Sequence, residues 1–104
     1  MKRIEAFIRA EKVEEVVESL QKMNIPATIY ESKGIGTGEK YKLRSGKTGV
    51  ATMTYSDRRT IETIVDDNKV DQVISAIKES AKVNKTGGAG GIIVVSSVEE
   101  LQGI

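Results

Sequence analysis

The 104-residue chain has no cysteine, no histidine, one proline and four aromatic residues. Without cysteine there is neither a disulfide framework nor thiolate chemistry. With histidine missing as well, the usual ligands of zinc and other transition metals are gone, and no metal site is expected. No Ser/His/Asp or Cys/His grouping can be assembled either, so hydrolytic catalysis has no apparatus and the expectation is a protein that is not an enzyme. No apolar run approaches the ~20 residues that span a bilayer, which predicts no membrane insertion. Met1-Lys2-Arg3-Ile4-Glu5 begins directly on an alternation, with no apolar leader, so a cytoplasmic location is expected.

The scarcity of aromatics excludes a further class. RNA-binding domains on a small α/β plan stack bases on aromatics of their central strands. Here Phe7, Tyr30, Tyr41 and Tyr55 are the whole supply, and no Lys/Arg-Gly-aromatic run occurs. A net charge of +1 also lacks the basic excess of a general nucleic-acid binder. Nucleic acid is therefore not an expected partner, and Phe7 and Tyr30 read as packing or interface residues. Charge is uneven, however. Residues 34–59 hold six cations (Lys40, Lys42, Arg44, Lys47, Arg58, Arg59) against two anions (Glu39, Asp57), leaving the rest slightly acidic.

What is present is regular patterning. Residues 2–9 alternate, with Ile4, Ala6 and Ile8 on one face and Arg3, Glu5, Phe7 and Arg9 on the other, which predicts a strand. Val13, Val16, Val17, Leu20 and Met23 recur at helical spacing behind Glu11, Glu14 and Glu15, and Asn24 and Pro26 end that helix. Residues 27–33 return to strand character. Residues 59–66 repeat it, and Asp66 and Asp67 stand as N-caps for a helix whose stripe is Val70, Val73, Ile74, Ile77 and Ala81. Residues 91–97 form the last strand. The fold class is α+β, a ferredoxin-like βαββαβ domain covering residues 1–104, with a long loop after the second strand. That loop, 34–57, exceeds the ~12–15 residues usual for a structureless connection, which points to function or mobility. Within it, residues 50–55 alternate as a β-ribbon would.

Nine of the ten glycines lie between Gly34 and Gly49 or between Gly87 and Gly91. Gly46-Lys47-Thr48 ends like a P-loop, but Tyr41 stands where the first glycine is required. Gly34-x-Gly36 is followed by Glu39 where a dinucleotide fingerprint needs its third glycine. Asn84-Lys85-Thr86 is formally a glycosylation sequon with nothing else pointing to secretion. What survives is a glycine-lined site, in which exposed amides of 34–38 and 87–91 wrap a phosphate chain and nearby cations supply charge. A pair of ordinary glycine turns is the plainer alternative.

Several segments resemble the PII signalling proteins: Met1–Arg9, Val13-x-x-Val16, Glu31-Ser32-Lys33-Gly34-Ile35-Gly36, Ile61-Glu62-x-x-Val65-x-Asp67, and Lys85-Thr86-Gly87 with the glycines before Ile92-Ile93-Val94. The resemblance implies a homotrimer that binds an adenine nucleotide (ADP, ATP or AMP) between subunits as an effector. It implies no covalent cofactor, and it leaves the part of magnesium open. The long loop would engage a target transporter or metabolic enzyme through Lys40, Tyr41, Lys42, Arg44 and Lys47. Carried over by position, Thr28 and Ile64 would meet adenine. Gly34 and Gly36 would form the base of the loop, and Thr86, Gly87, Gly88 and Gly90 the phosphate-binding glycine loop (about 85–91).

Departures from the family pattern are specific. Gly91 stands where the family has a lysine, Thr37 and Gly38 replace an arginine and a glutamine, and Gln102-Gly103-Ile104 carries no arginine. These changes, with Leu43-Arg44-Ser45-Gly46, are similar to the divergent PII-like branch, some members of which use a loop arginine on phosphate, a role Arg44 would fill. Weak preference for ATP over ADP or AMP follows as an expectation. The alternatives are a ligand-free structural adaptor, a nitrogen-regulatory PII responding to ATP and 2-oxoglutarate, and a weak nucleotide hydrolase.

Overall fold

A computed structural model of the protein describes residues 1–36, 54–83 and 90–104. Strand β1 (Lys2–Arg9) leads through a single 3-10 turn into helix α1 (Val13–Lys22). Strands β2 (Thr28–Gly36) and β3 (Thr54–Val65) follow, then helix α2 (Val70–Ala81) and strand β4 (Gly91–Ser97). The four strands form one antiparallel sheet in the order β2-β3-β1-β4, and the two helices pack together over one of its faces. This is the ferredoxin-like α+β arrangement expected from the sequence.

The alternation in β1 sorts side chains as predicted. Ile4, Ala6 and Ile8 are buried beneath the helices with Val16, Leu20, Ile61, Val73 and Ile77. Thr63 is the polar member of this layer, and its buried hydroxyl is satisfied by donating to the Pro26 carbonyl at 2.7 Å. Helix α1 stops where Asn24 and Pro26 predict. Asn24 takes a left-handed φ of 55°, the Ile25 amide donates to the Leu20 carbonyl and the Asn24 amide to that of Gln21, a Schellman closure.

Two expectations need correction. Asp66 occupies the cap position before the turn into α2 but makes no side-chain cap bond. Asp67 lies inside that turn, and its carboxylate pairs with the Met1 ammonium at 3.0 Å, the hydrogen bond that holds its pKa below the ordinary carboxylate value. A charged partner within reach outcompetes backbone amides for this oxygen. Secondly, β2 and β3 run further than alternation indicates: Gly34 and Gly36 pair with Ser56 and Thr54 inside the ladder rather than in a loop. Glycine lowers strand propensity, but the partner strand and the cross-strand pairs around it decide the outcome. Of the ribbon expected over 50–55, positions 54 and 55 are strand, and the remainder lies outside the described residues.

Candidate functional site

β1 ends at Arg9, paired with Arg58, so beyond that level β2 and β3 continue as a two-stranded ribbon. Alternating charges pin the ribbon on its helix-side face. Glu31 pairs with Arg59 at 3.8 Å and Lys33 with Asp57 at 3.3 Å. A two-residue slip either way would set Glu31 against Asp57 or Lys33 against Arg59, so like-charge repulsion opposes both wrong registers. On the opposite, open face, Arg58 donates from Nε to Ser56 Oγ at 3.1 Å. Its Nη1 is buried with no hydrogen-bond partner among the described residues. A buried donor of that kind calls for an acceptor, most strongly an anionic one.

The open face is layered along the strands. Register places Ile64 beside Arg3 at one end, then Thr28, Glu62, Glu5 and Val94 in the next row. Tyr30, Thr60, Phe7 and Ile92 make an apolar middle row, and Ser32, Arg58 and Arg9 a basic one. Tyr30 Oη donates to Glu62 Oε2 at 2.5 Å. That hydrogen bond, with smaller help from desolvation and the Glu62 charge, raises the phenol above its ordinary pKa. A raised acid stabilises the fold while protonated, so its contribution is present below the ordinary phenol range and disappears as pH climbs through the shifted value. In an alkaline spectrophotometric titration, Tyr30→Phe is expected to remove the latest-rising part of the tyrosinate absorbance. Loss of an early part instead would refute the assignment.

Among the expected site residues, the structure brings Thr28 and Ile64 together, diagonal neighbours on the open face of β2 and β3. Gly34 and Gly36 lie six and eight residues along β2 from Thr28, about 20–27 Å at strand rise. A single small anion cannot touch both groups. Gly90 lies just before β4, where a β-carbon built on it would stand 2.9 Å from the Ala81 carbonyl oxygen. β2 and β4 are opposite edges, so three strand spacings, about 14 Å, lie between the strand that carries Gly34 and the strand that Gly91 opens. Arg44, Lys40, Tyr41, Lys42, Lys47, Thr86, Gly87 and Gly88 lie outside the described residues. Sequence reasoning missed Arg58 as a site residue. The signal available was its place on the alternation, on the same face as Arg9.

The family model described as Nitrogen regulatory protein P-II matches residues 1–104. The chain belongs to the P-II family. Relatives carrying that same name include one from Bradyrhizobium diazoefficiens, 33% identical over 96% of this chain and 88% of its own length. Another, from Rhizobium meliloti, is 34% identical over 97% and 88%, and one from Nostoc punctiforme is 33% identical over the same shares. This P-II-family chain is therefore a member of a regulatory, signalling family. No helix among its described residues is long and apolar enough to cross a membrane.

Proposed function

We propose that the chain acts as a trimeric signal protein that binds an adenine nucleotide between subunits and regulates a target transporter or enzyme. The whole of residues 1–104 forms one domain, and the loop within 34–57 is the element that meets the target. What supports this reading is that Gly34 on β2 and Gly91 at the start of β4 lie on opposite edges of the sheet, toward the end where Arg58 stands. On this reading one ligand meets Gly34 and the segment before β4 where the β2 edge of one copy adjoins the β4 edge of another. Thr28 and Ile64 mark the end of the face suited to a base, and Arg58 the end suited to phosphate. Arg44, Lys40, Thr86, Gly87 and Gly88 would complete the phosphate end.

Regulation requires that nucleotide bind one state of the loop better than another. The ribbon offers a route, because beyond Arg9 its strands pair, among the described residues, only with one another and Arg58 stands at its base. Lacking the family's lysine, glutamine and terminal arginines, the site is expected to discriminate weakly among ATP, ADP and AMP. The test is calorimetry with ATP, ADP, AMP and cyclic AMP, with and without magnesium. Saturation at one site per subunit, with ATP and ADP affinities within a hundredfold, is the expected result. No binding of any of the four would sink the reading. A second reading, a nitrogen regulator answering ATP together with 2-oxoglutarate, draws on the name its relatives carry. It predicts that 2-oxoglutarate tightens ATP binding.

A further inference from the structure

We propose that Gly34 is a positioning residue for Arg58: the space left by its missing side chain is the seat on which the arginine lies. The glycine's place in the sequence suggests backbone contact with phosphate. Its surroundings give a different role. Gly34 is a ladder residue opposite Ser56, and its backbone is not in the left-handed region that would by itself demand glycine. A β-carbon built there would stand 3.3 Å from Arg58 Cγ, 3.3 Å from Arg58 Nε and 3.3 Å from Ser56 Oγ. Those three atoms include both partners of the bond, Nε to Ser56 Oγ at 3.1 Å, that holds the arginine along β3. A methyl group at position 34 therefore presses on the hydrogen bond itself. With that bond loosened, Nη1 leaves the buried position in which it lacks a partner among the described residues.

The consequence rests on the reading of Arg58 as part of the nucleotide site. Seated, the arginine presents a preorganised donor at the root of the ribbon, so an arriving phosphate meets a group that need not be ordered first. Displaced, the same arginine keeps its charge but loses its aim. Gly34 thus acts on ligand through Arg58 and makes no contact of its own in this scheme.

The experiment uses the intact protein and three variants, Gly34→Ala, Arg58→Ala and the double substitution. Nitrogen-15 NMR of the arginine Nε–H groups and calorimetric titration with ADP are the two readouts. In wild type the Arg58 Nε–H signal is expected to be protected from exchange, and in Gly34→Ala to lose that protection. ADP affinity is expected to fall about ten- to a hundredfold in Gly34→Ala and in Arg58→Ala alike, with no further loss in the double variant. A purely structural role would give losses that multiply, which would overturn the proposal, as would an unchanged Nε–H signal. Should Gly34→Ala fail to fold, recovery of the fold in the double variant would support the seat, and continued failure would overturn it. If wild type binds no ADP, the nucleotide reading falls by itself. The exchange measurement and an unfolding double-mutant cycle between positions 34 and 58 then decide the seat.

Discussion

Gly91→Lys is expected to cost this protein about 3 kcal/mol or more and to lower its thermal midpoint by more than about 10 °C. Gly91 opens β4 with a φ of +138°, a region L side chains rarely adopt, and a β-carbon there would lie 1.9 Å from the Phe7 carbonyl oxygen. The obstacle is backbone of the central strand β1, whose Ile8 is paired with Gly91, so neither side can yield without opening the ladder. Strain and overlap act together, and alanine should do nearly as much harm as lysine. Gly103→Ala, with nothing within 4 Å of the new carbon, is the matched control and should be silent. Urea and thermal unfolding check it: a Gly91→Lys variant as stable as wild type would refute the geometry. The point bears on function. The family resemblance sets a lysine at this position, yet this backbone cannot take one, so the missing phosphate charge cannot be restored there by substitution. Cationic help has to come from elsewhere, and Arg58 is the described candidate.

How far the sequence led depended on whether a feature is local. Period-two burial of Ile4, Ala6 and Ile8 and the helical stripe through Val73 and Ile77 are set by the nearest residues, and both were legible. So was the end of α1, because Asn24 and Pro26 act on their own backbone. Asp66 and Asp67 misled as caps since the competing partner of Asp67, the Met1 ammonium, is 66 residues away in sequence. Gly34 misled for a related reason: as a glycine it reads as a turn, and only the register with Ser56 and Arg58 shows it as a strand residue beneath a side chain. The pairing of Thr28 with the Ile64 neighbourhood followed from resemblance rather than from any pattern. The distance of Thr28 from Gly34 and Gly36 follows from β2 running unbroken through them, and the placing of Gly34 and Gly91 on opposite edges from strand order, which no local signal carries.

On the proposed reading, in which the site closes between copies, association is a condition of binding, and Ile92→Glu is expected to abolish nucleotide binding by removing it. Ile92 is 67% exposed in the single chain, on the open face beside Phe7, with Val94 and Tyr30 also exposed on that face. Apolar side chains grouped in this way, unlike scattered ones, mark a surface that another chain covers. A carboxylate in the row would have to be desolvated when copies meet, a cost of several kcal/mol per interface. The same carboxylate stays in water in a lone chain, so the fold should survive, with an unfolding midpoint falling no further than loss of association explains. Sedimentation should then show monomers, and calorimetry an ADP affinity at least a hundredfold weaker, because on that reading a lone chain supplies only part of the site. A monomeric variant that binds ADP as tightly as wild type would place the whole site within one chain, and the argument from opposite edges would fail. A variant that stays assembled would show instead that copies meet on another face.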